Sequence, residues 1–180
     1  GAVKICMLSS QAGAFGRIGG FGTGLRAVGR LLVNDGHEVV ALVPRQPLQE
    51  RHEDLDGMQI VGLSPRELLY PASLLRKIKA DVYHSHEPSW HTLVAQIACP
   101  KSAHVVTSID PRGWREIVVE LRHATAARRV KFLRQWIYEF QPMVKMAVRY
   151  CDAVATPAVG AATEIDARTV RLYRLKEQPK

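Results

Sequence analysis

The first fifty residues confine the chain to a narrow class of folds. An apolar run, Val3-Lys4-Ile5-Cys6-Met7-Leu8, ends in Ser9-Ser10 and is followed by Arg17-Ile18-Gly19-Gly20-Phe21-Gly22-Thr23-Gly24. A helical pattern then runs through Leu25, Val28, Leu31 and Leu32. Asp35-Gly36-His37 leads into a second apolar run, Glu38 to Val43, closed by Pro44. The order is strand, glycine-rich loop, helix, strand. A glycine-rich loop that opens a helix lets backbone N–H groups close on an anion, because no Cβ intervenes and the helix N-terminus carries partial positive charge. The arrangement predicts a nucleotide- or phosphate-type site at the carboxyl end of a parallel sheet.

The alternation continues along the chain. Arg45 to Gly57 is polar and reads as an exposed loop, and Met58 to Leu63 as a short strand. Ser64-Pro65-Arg66-Glu67 is a helix start, with Ser at the N-cap, Pro at the first position and Glu at the third. A helix is expected over Ser73–Lys79, a strand over Ala80–His86, a helix over Trp90–Ala98 before Pro100, and a strand over His104–Ile109. From Arg122 to Tyr150 an apolar stripe (Val130, Leu133, Ile137, Phe140, Val144, Ala147) predicts one long amphipathic helix, kinked or divided at Pro142. Cys151–Pro157 reads as a last strand and Ala158–Leu175 as a last helix. Short strands with little polar alternation, separated by helices, predict an α/β, Rossmann-like three-layer domain with a parallel sheet covered on both faces. Residues 1–180 are expected to form one domain.

Composition narrows the class further. The chain has 180 residues, 47% of them hydrophobic, and no apolar run approaches a membrane span. Three widely spaced cysteines, Cys6, Cys99 and Cys151, read as buried thiols, so a reducing, cytoplasmic setting is expected. The net charge is +8, and nine Lys/Arg face three Asp/Glu between residues 112 and 149. That imbalance allows an anionic membrane surface, peripheral to the inner face of the membrane, as a partner. Nucleic acid is not expected, because no aromatic platforms are interleaved with the basic residues.

In an open parallel sheet ligands sit beyond the carboxyl ends of the strands. Three such ends carry suggestive residues: the glycine run, His84-Ser85-His86-Glu87, and Thr107-Ser108-Ile109-Asp110-Pro111-Arg112. His84 and His86 share a strand face, and Glu87 or His91 would have to complete a metal site. The spacing is not diagnostic, and no metal is expected. His86, nearest the strand end, is the better functional candidate, beside the alternative of a hydrogen-bonded structural histidine. Asp110 either orients a sugar hydroxyl, pairs with Arg112 or caps a turn. Gly22-Thr23-Gly24-Leu25-Arg26-Ala27 matches G-x-G-x-x-A, and Arg45 would suit a 2′-phosphate, so an NADP-dependent oxidoreductase is an alternative. About a dozen residues separate the first strand from that pattern, which argues against it.

The blocks R-I-G-G-F-G, N-D-G-H-E-V-V-A-L-V-P, D-V-Y-H-S-H-E, V-V-T-S-I-D and C-D-A-V-A-T-P resemble, in order, the N-terminal half of retaining GT-B glycosyltransferases of family four. The resemblance runs from Val3 to about Leu175. It implies an acceptor-binding domain whose Gly19-Gly20-Phe21-Gly22 loop touches the phosphate or sugar of a nucleotide-sugar donor, with no further cofactor. Arg17 and Arg112 would be anion contacts, and His86 and Asp110 the catalytic residues beside the transferred sugar. The acceptor would be a sugar or a lipid-linked acceptor. Many members carry His where this chain has Ile109. Family members also hold the nucleotide in a second Rossmann-like domain with a paired-glutamate motif, so this chain is expected to work with a donor-binding domain in cis or in trans and to transfer no sugar alone. A non-catalytic sugar-phosphate or anionic-lipid binding module is the other alternative.

Overall fold

A computed structural model describes residues 1–10, 20–107 and 114–155. Its centre is a seven-stranded sheet in the order β3-β4-β2-β1-β5-β6-β7. The strands are β1 (Lys4–Leu8), β2 (Glu38–Pro44), β3 (His52–Leu55), β4 (Met58–Leu63), β5 (Val82–Ser85), β6 (Ala103–Thr107) and β7 (Ala153–Ala155). All neighbours run parallel except the β3–β4 pair. The helices are α1 (Gly20–Asn34), α2 (Pro65–Leu69), α3 (Ala72–Ile78), α4 (Trp90–Ala98), α5 (Trp114–Arg122), α6 (Ala126–Gln135) and α7 (Pro142–Arg149). This is the expected Rossmann-like α/β architecture.

The unbroken apolar strands are explained by their two coats. Ile5, Met7, Val39, Ala41 and Val43 pack with Leu25, Val28 and Leu32 of α1. The alternate residues Cys6, Leu8, Val40 and Leu42 pack with Ala72 and Leu75 of α3 and Val94 and Ala95 of α4. Successive strand side chains point to opposite faces, so both faces must be covered. Tyr83 reaches into the second layer. Its hydroxyl donates to the Leu75 carbonyl at 2.7 Å and accepts from the Ala80 N–H at 3.4 Å.

The helix starting at Ser64 forms as the sequence predicts, with the Ser64 hydroxyl and Glu67 carboxylate in a reciprocal cap. Arg51 donates to the same Glu67 at 2.6 Å, and this bond foremost holds the Glu67 carboxyl down at about 2. Cys6, Cys99 and Cys151 are free thiols.

Three elements differ from the sequence expectation. Residues 52–55 are an edge strand rather than loop. Leu55 pairs with Met58 across Asp56 and Gly57, whose φ values of 54° and 82° are both positive, as a two-residue hairpin turn requires. Most of the glycine run is helix rather than loop: Gly20, Phe21, Gly22 and Gly24 belong to the first turns of α1, and Arg17–Gly19 lie outside the described residues. The long basic helix is several pieces. Residues 123–125 separate α5 from α6, a π-helical turn spans Trp136–Phe140, and Pro142 starts α7. Val144 and Ala147 are buried as the stripe predicts, but Val130, Leu133 and Ile137 are more than half exposed. The expected helix over 158–175 lies outside the described residues.

Tyr83→Phe keeps the ring but leaves a buried carbonyl and N–H without their hydroxyl partner. It is expected to lower the unfolding free energy by about 1–3 kcal/mol in urea titrations, with an unchanged m-value.

Candidate functional site

The chain leaves β1 toward β2 and β4 on one side, then returns across the sheet to β5 on the other. This makes the gap between β1 and β5 the switch point of the sheet, the place where two crossovers diverge and where open parallel sheets take their ligands. Leu8 and Ser85 are partners at that edge. The ladder continues one step further, with the His86 N–H donating to the Leu8 carbonyl at 2.9 Å.

Glu87 binds the two sides of the switch together. One carboxylate oxygen accepts from the Ser9 hydroxyl at 3.2 Å, and the other accepts from the backbone N–H of Ser10. The residue is buried, and this desolvation raises its carboxyl above the ordinary range, against the lowering effect of the Ser10 and Ser9 bonds. The turn then enters α4 through the Ser89 cap. The Ser89 hydroxyl accepts from the His91 N–H at 3.2 Å, and Thr92 Oγ1 donates to Ser85 Oγ at 2.8 Å.

Two imidazoles stand beside this clamp on the α1 side of the sheet. The His84 and His86 rings lie 4.7 Å apart at 32°, so the two do share a face. His84 Nε2 is 2.7 Å from Thr107 Oγ1. His86 is 4% exposed, and its Nε2 has no hydrogen-bond partner among the described residues. Burial pushes His84 down to about 4. Burial, and then the neighbouring His84, push His86 down to about 3. Both rings are therefore neutral near pH 7 and offer one donor and one acceptor nitrogen each.

The other residues named for a metal site go elsewhere. Glu87 is spent on Ser9 and Ser10. His91 Nε2 meets the Leu68 carbonyl at 2.7 Å, and its ring receives Tyr138 edge-on at 5.4 Å. Among the described residues no three His, Cys, Asp or Glu side chains group to hold a metal ion. Gly22 and Gly24 lie inside α1, so the Gly22–Ala27 pattern is not the tight turn after β1 that a dinucleotide needs. The Arg45 guanidinium donates to the Gln49 carbonyl at 2.9 Å. Of the expected site residues, His86, Gly20, Phe21 and Gly22 are described, whereas Arg17, Gly19, Asp110 and Arg112 lie outside the described residues.

Sequence reasoning missed two contributors. Ser9 and Ser10 stood at the end of an apolar run, a signal for a strand terminus but not for the Glu87 clamp. Tyr138, whose hydroxyl meets the Ser89 side chain, sits on the π-helical turn and carried no signal in the periodicity.

The buried imidazoles fix the sign of an acid effect. Their native values lie below the ordinary 6.5, so the unfolded chain binds more protons as pH falls, and the stability gained by keeping them neutral is lost below about 6.5. Glu87, raised instead, acts in the opposite direction above its ordinary 4.5. Urea midpoints measured from neutral pH to about pH 4.5 are expected to fall, and to fall less steeply in His86→Gln.

No family model matches the sequence, and no curated protein matches it. Solved structures do. Sucrose-phosphate synthase from Thermosynechococcus elongatus superposes with a TM-score of 0.56 at 13% identity, over 94% of this chain and 47% of that one. The catalytic domain of starch synthase IV from Arabidopsis thaliana, bound to ADP and acarbose, gives 0.55 at 12% identity, over 86% and 45%. This chain thus spans about half the length of these structures. Both are GT-B glycosyltransferases, and the fold described above is the one they share with this chain.

Proposed function

We propose that the chain is the acceptor-side, N-terminal half of a nucleotide-sugar-dependent retaining glycosyltransferase, with the transferred sugar lodged beyond the β1–β5 switch point. The observation that carries this reading is the buried Nε2 of His86 at that switch point, which has no hydrogen-bond partner among the described residues. An orphaned buried nitrogen costs about 1–3 kcal/mol unless a partner arrives. A ring held neutral suits a sugar hydroxyl, which can accept or donate, better than a phosphate, which calls for cations or backbone donors.

The phosphate side of the donor then falls to α1. Its first turn, Gly20-Phe21-Gly22, contains no acidic residue, and the first N–H groups of a helix have no partner within it and suit an anion. In this reading Arg17, Gly19 and Arg112 complete the anion contacts, and Asp110 orients a sugar hydroxyl. Glu87 touches neither substrate and acts as a positioning residue, holding the exit of β1 against the start of α4. Backbone donors aimed at the leaving phosphate contribute most as charge develops on it. The fold likeness to two glycosyltransferases, one of them captured with ADP and acarbose, supports the reading. Because the chain covers about half of each, nucleotide binding is assigned to a second domain.

The purified chain, mixed with several nucleotide sugars and a panel of saccharide acceptors, is expected to release no nucleoside diphosphate. Saturation-transfer NMR is expected to detect a saccharide, and His86→Phe to weaken that binding by about tenfold. Turnover by the chain alone would contradict the division of labour. Saccharide binding untouched by His86→Phe would remove the sugar from the switch point.

A further inference from the structure

The outer side of α6 is built for contact, yet none of the described residues covers it. Val130, Leu133 and Ile137 recur at helical spacing, and each is more than half exposed. The opposite side, with Phe132 and Gln135 of α6 and Trp136 at the start of the π-helical turn, is half-buried against the molecule. Helical geometry places Arg129 and Arg134 on either border of the exposed stripe. α7 repeats the pattern, with Met143, Met146 and Tyr150 more than half exposed while Val144 and Ala147 are buried.

Charge selects the occupant. Between residues 126 and 149 six cations (Arg128, Arg129, Lys131, Arg134, Lys145, Arg149) accompany a single acid, Glu139. Glu139 is half-buried and receives the Gln135 amide at 3.1 Å. A protein partner would have to supply a matching set of acids to balance six cations on this face, and lysine is depleted in protein–protein interfaces. An apolar stripe bordered by arginines, on a helix without acids, instead matches the boundary of an anionic bilayer, where side chains such as Leu and Ile enter the acyl region and guanidinium groups meet headgroup phosphates. No helix among the described residues is long and apolar enough to cross a membrane. The contact would therefore be made from one side.

We infer that the α6–α7 face docks this protein on an anionic lipid surface. The π-helical turn connects this surface to the switch point: Ile137 lies on the exposed side, while the adjacent Tyr138 packs on His91 at the start of α4. The docking surface therefore lies beside the switch-point site, and a molecule embedded in the lipid would be presented close to it.

Co-sedimentation with vesicles of phosphatidylcholine alone, and of equal parts phosphatidylcholine and phosphatidylglycerol, tests the inference. The full chain is expected to bind the anionic vesicles about tenfold more tightly than the neutral ones, and to be released by high salt. Neutralising Arg129 and Arg134 (Arg129→Ser, Arg134→Ser) is expected to weaken binding roughly fivefold per residue. Leu133→Asp with Ile137→Asp is expected to abolish it, with the circular dichroism spectrum and urea midpoint unchanged because both positions are exposed. Failure to bind anionic vesicles would overturn the inference, as would binding indifferent to both variants. So would self-association, seen by light scattering and broken by the Asp pair without any vesicle binding, since that result assigns the face to a second copy of the chain. Vesicle binding is read independently of saccharide binding, so either reading can fail without the other.

Discussion

β1 is the strand on which everything else is hung. It is hydrogen-bonded to β2 on one side and β5 on the other, covered by α1 on one face and by α3 and α4 on the opposite face. A five-residue segment so enclosed has to be apolar at nearly every position, and Cys6, Met7 and Leu8 are essentially inaccessible. Its backbone groups are satisfied by parallel ladders to β2 and β5, which demand crossover connections. Where such crossovers diverge, the sheet cannot close over its own edge. The switch point at the carboxyl ends of β1 and β5 is thus a consequence of how the core is satisfied.

The polar residues of that switch point are governed by desolvation. Burial neutralises His84 and His86 and pushes the Glu87 carboxyl toward its protonated form, while Ser9 and Ser10 counter that tendency. The described part of the switch point is therefore polar but weakly charged, with positive potential left to the start of α1. The strong positive charge lies on α6 and α7 instead. In the proposed reading, a neutral switch point serves the recognition of hydroxyls, and a basic flank serves the recognition of anions.

Much of this was legible in the chain itself, for a physical reason. Strands buried on both faces must be continuous apolar runs, so β1, β2, β4, β5 and β6 stand out from the sequence, and polar residues at their ends mark the site. His86 was singled out as a candidate this way. β3 was not, because His52-Glu53-Asp54 is an edge whose outer groups face water. Its identity resides in the Asp56-Gly57 turn, a signal only two residues long. The Glu87 clamp was hidden because it joins segments 77 and 78 residues apart whose adjacency exists only after the crossover. The basic stripe shows the limit of periodicity: it reports that a helix has an apolar side, not what covers that side. Val144 and Ala147 turned inward, Val130 and Leu133 outward, and the π-helical turn between them lies beyond any period of 3.6.

The proposed saccharide site rests on the His86 Nε2 nitrogen, which has no hydrogen-bond partner among the described residues. The most direct measurement is nitrogen-15 NMR of the histidine rings while a nucleotide sugar or saccharide is added. The Nε2 resonance of His86, neutral throughout, is expected to shift as a new hydrogen bond forms, whereas His104, which already meets the Cys99 carbonyl at the far end of the sheet, is expected to stay still. A His86 ring that is protonated near neutral pH, or that remains unmoved while other resonances report binding, would contradict it.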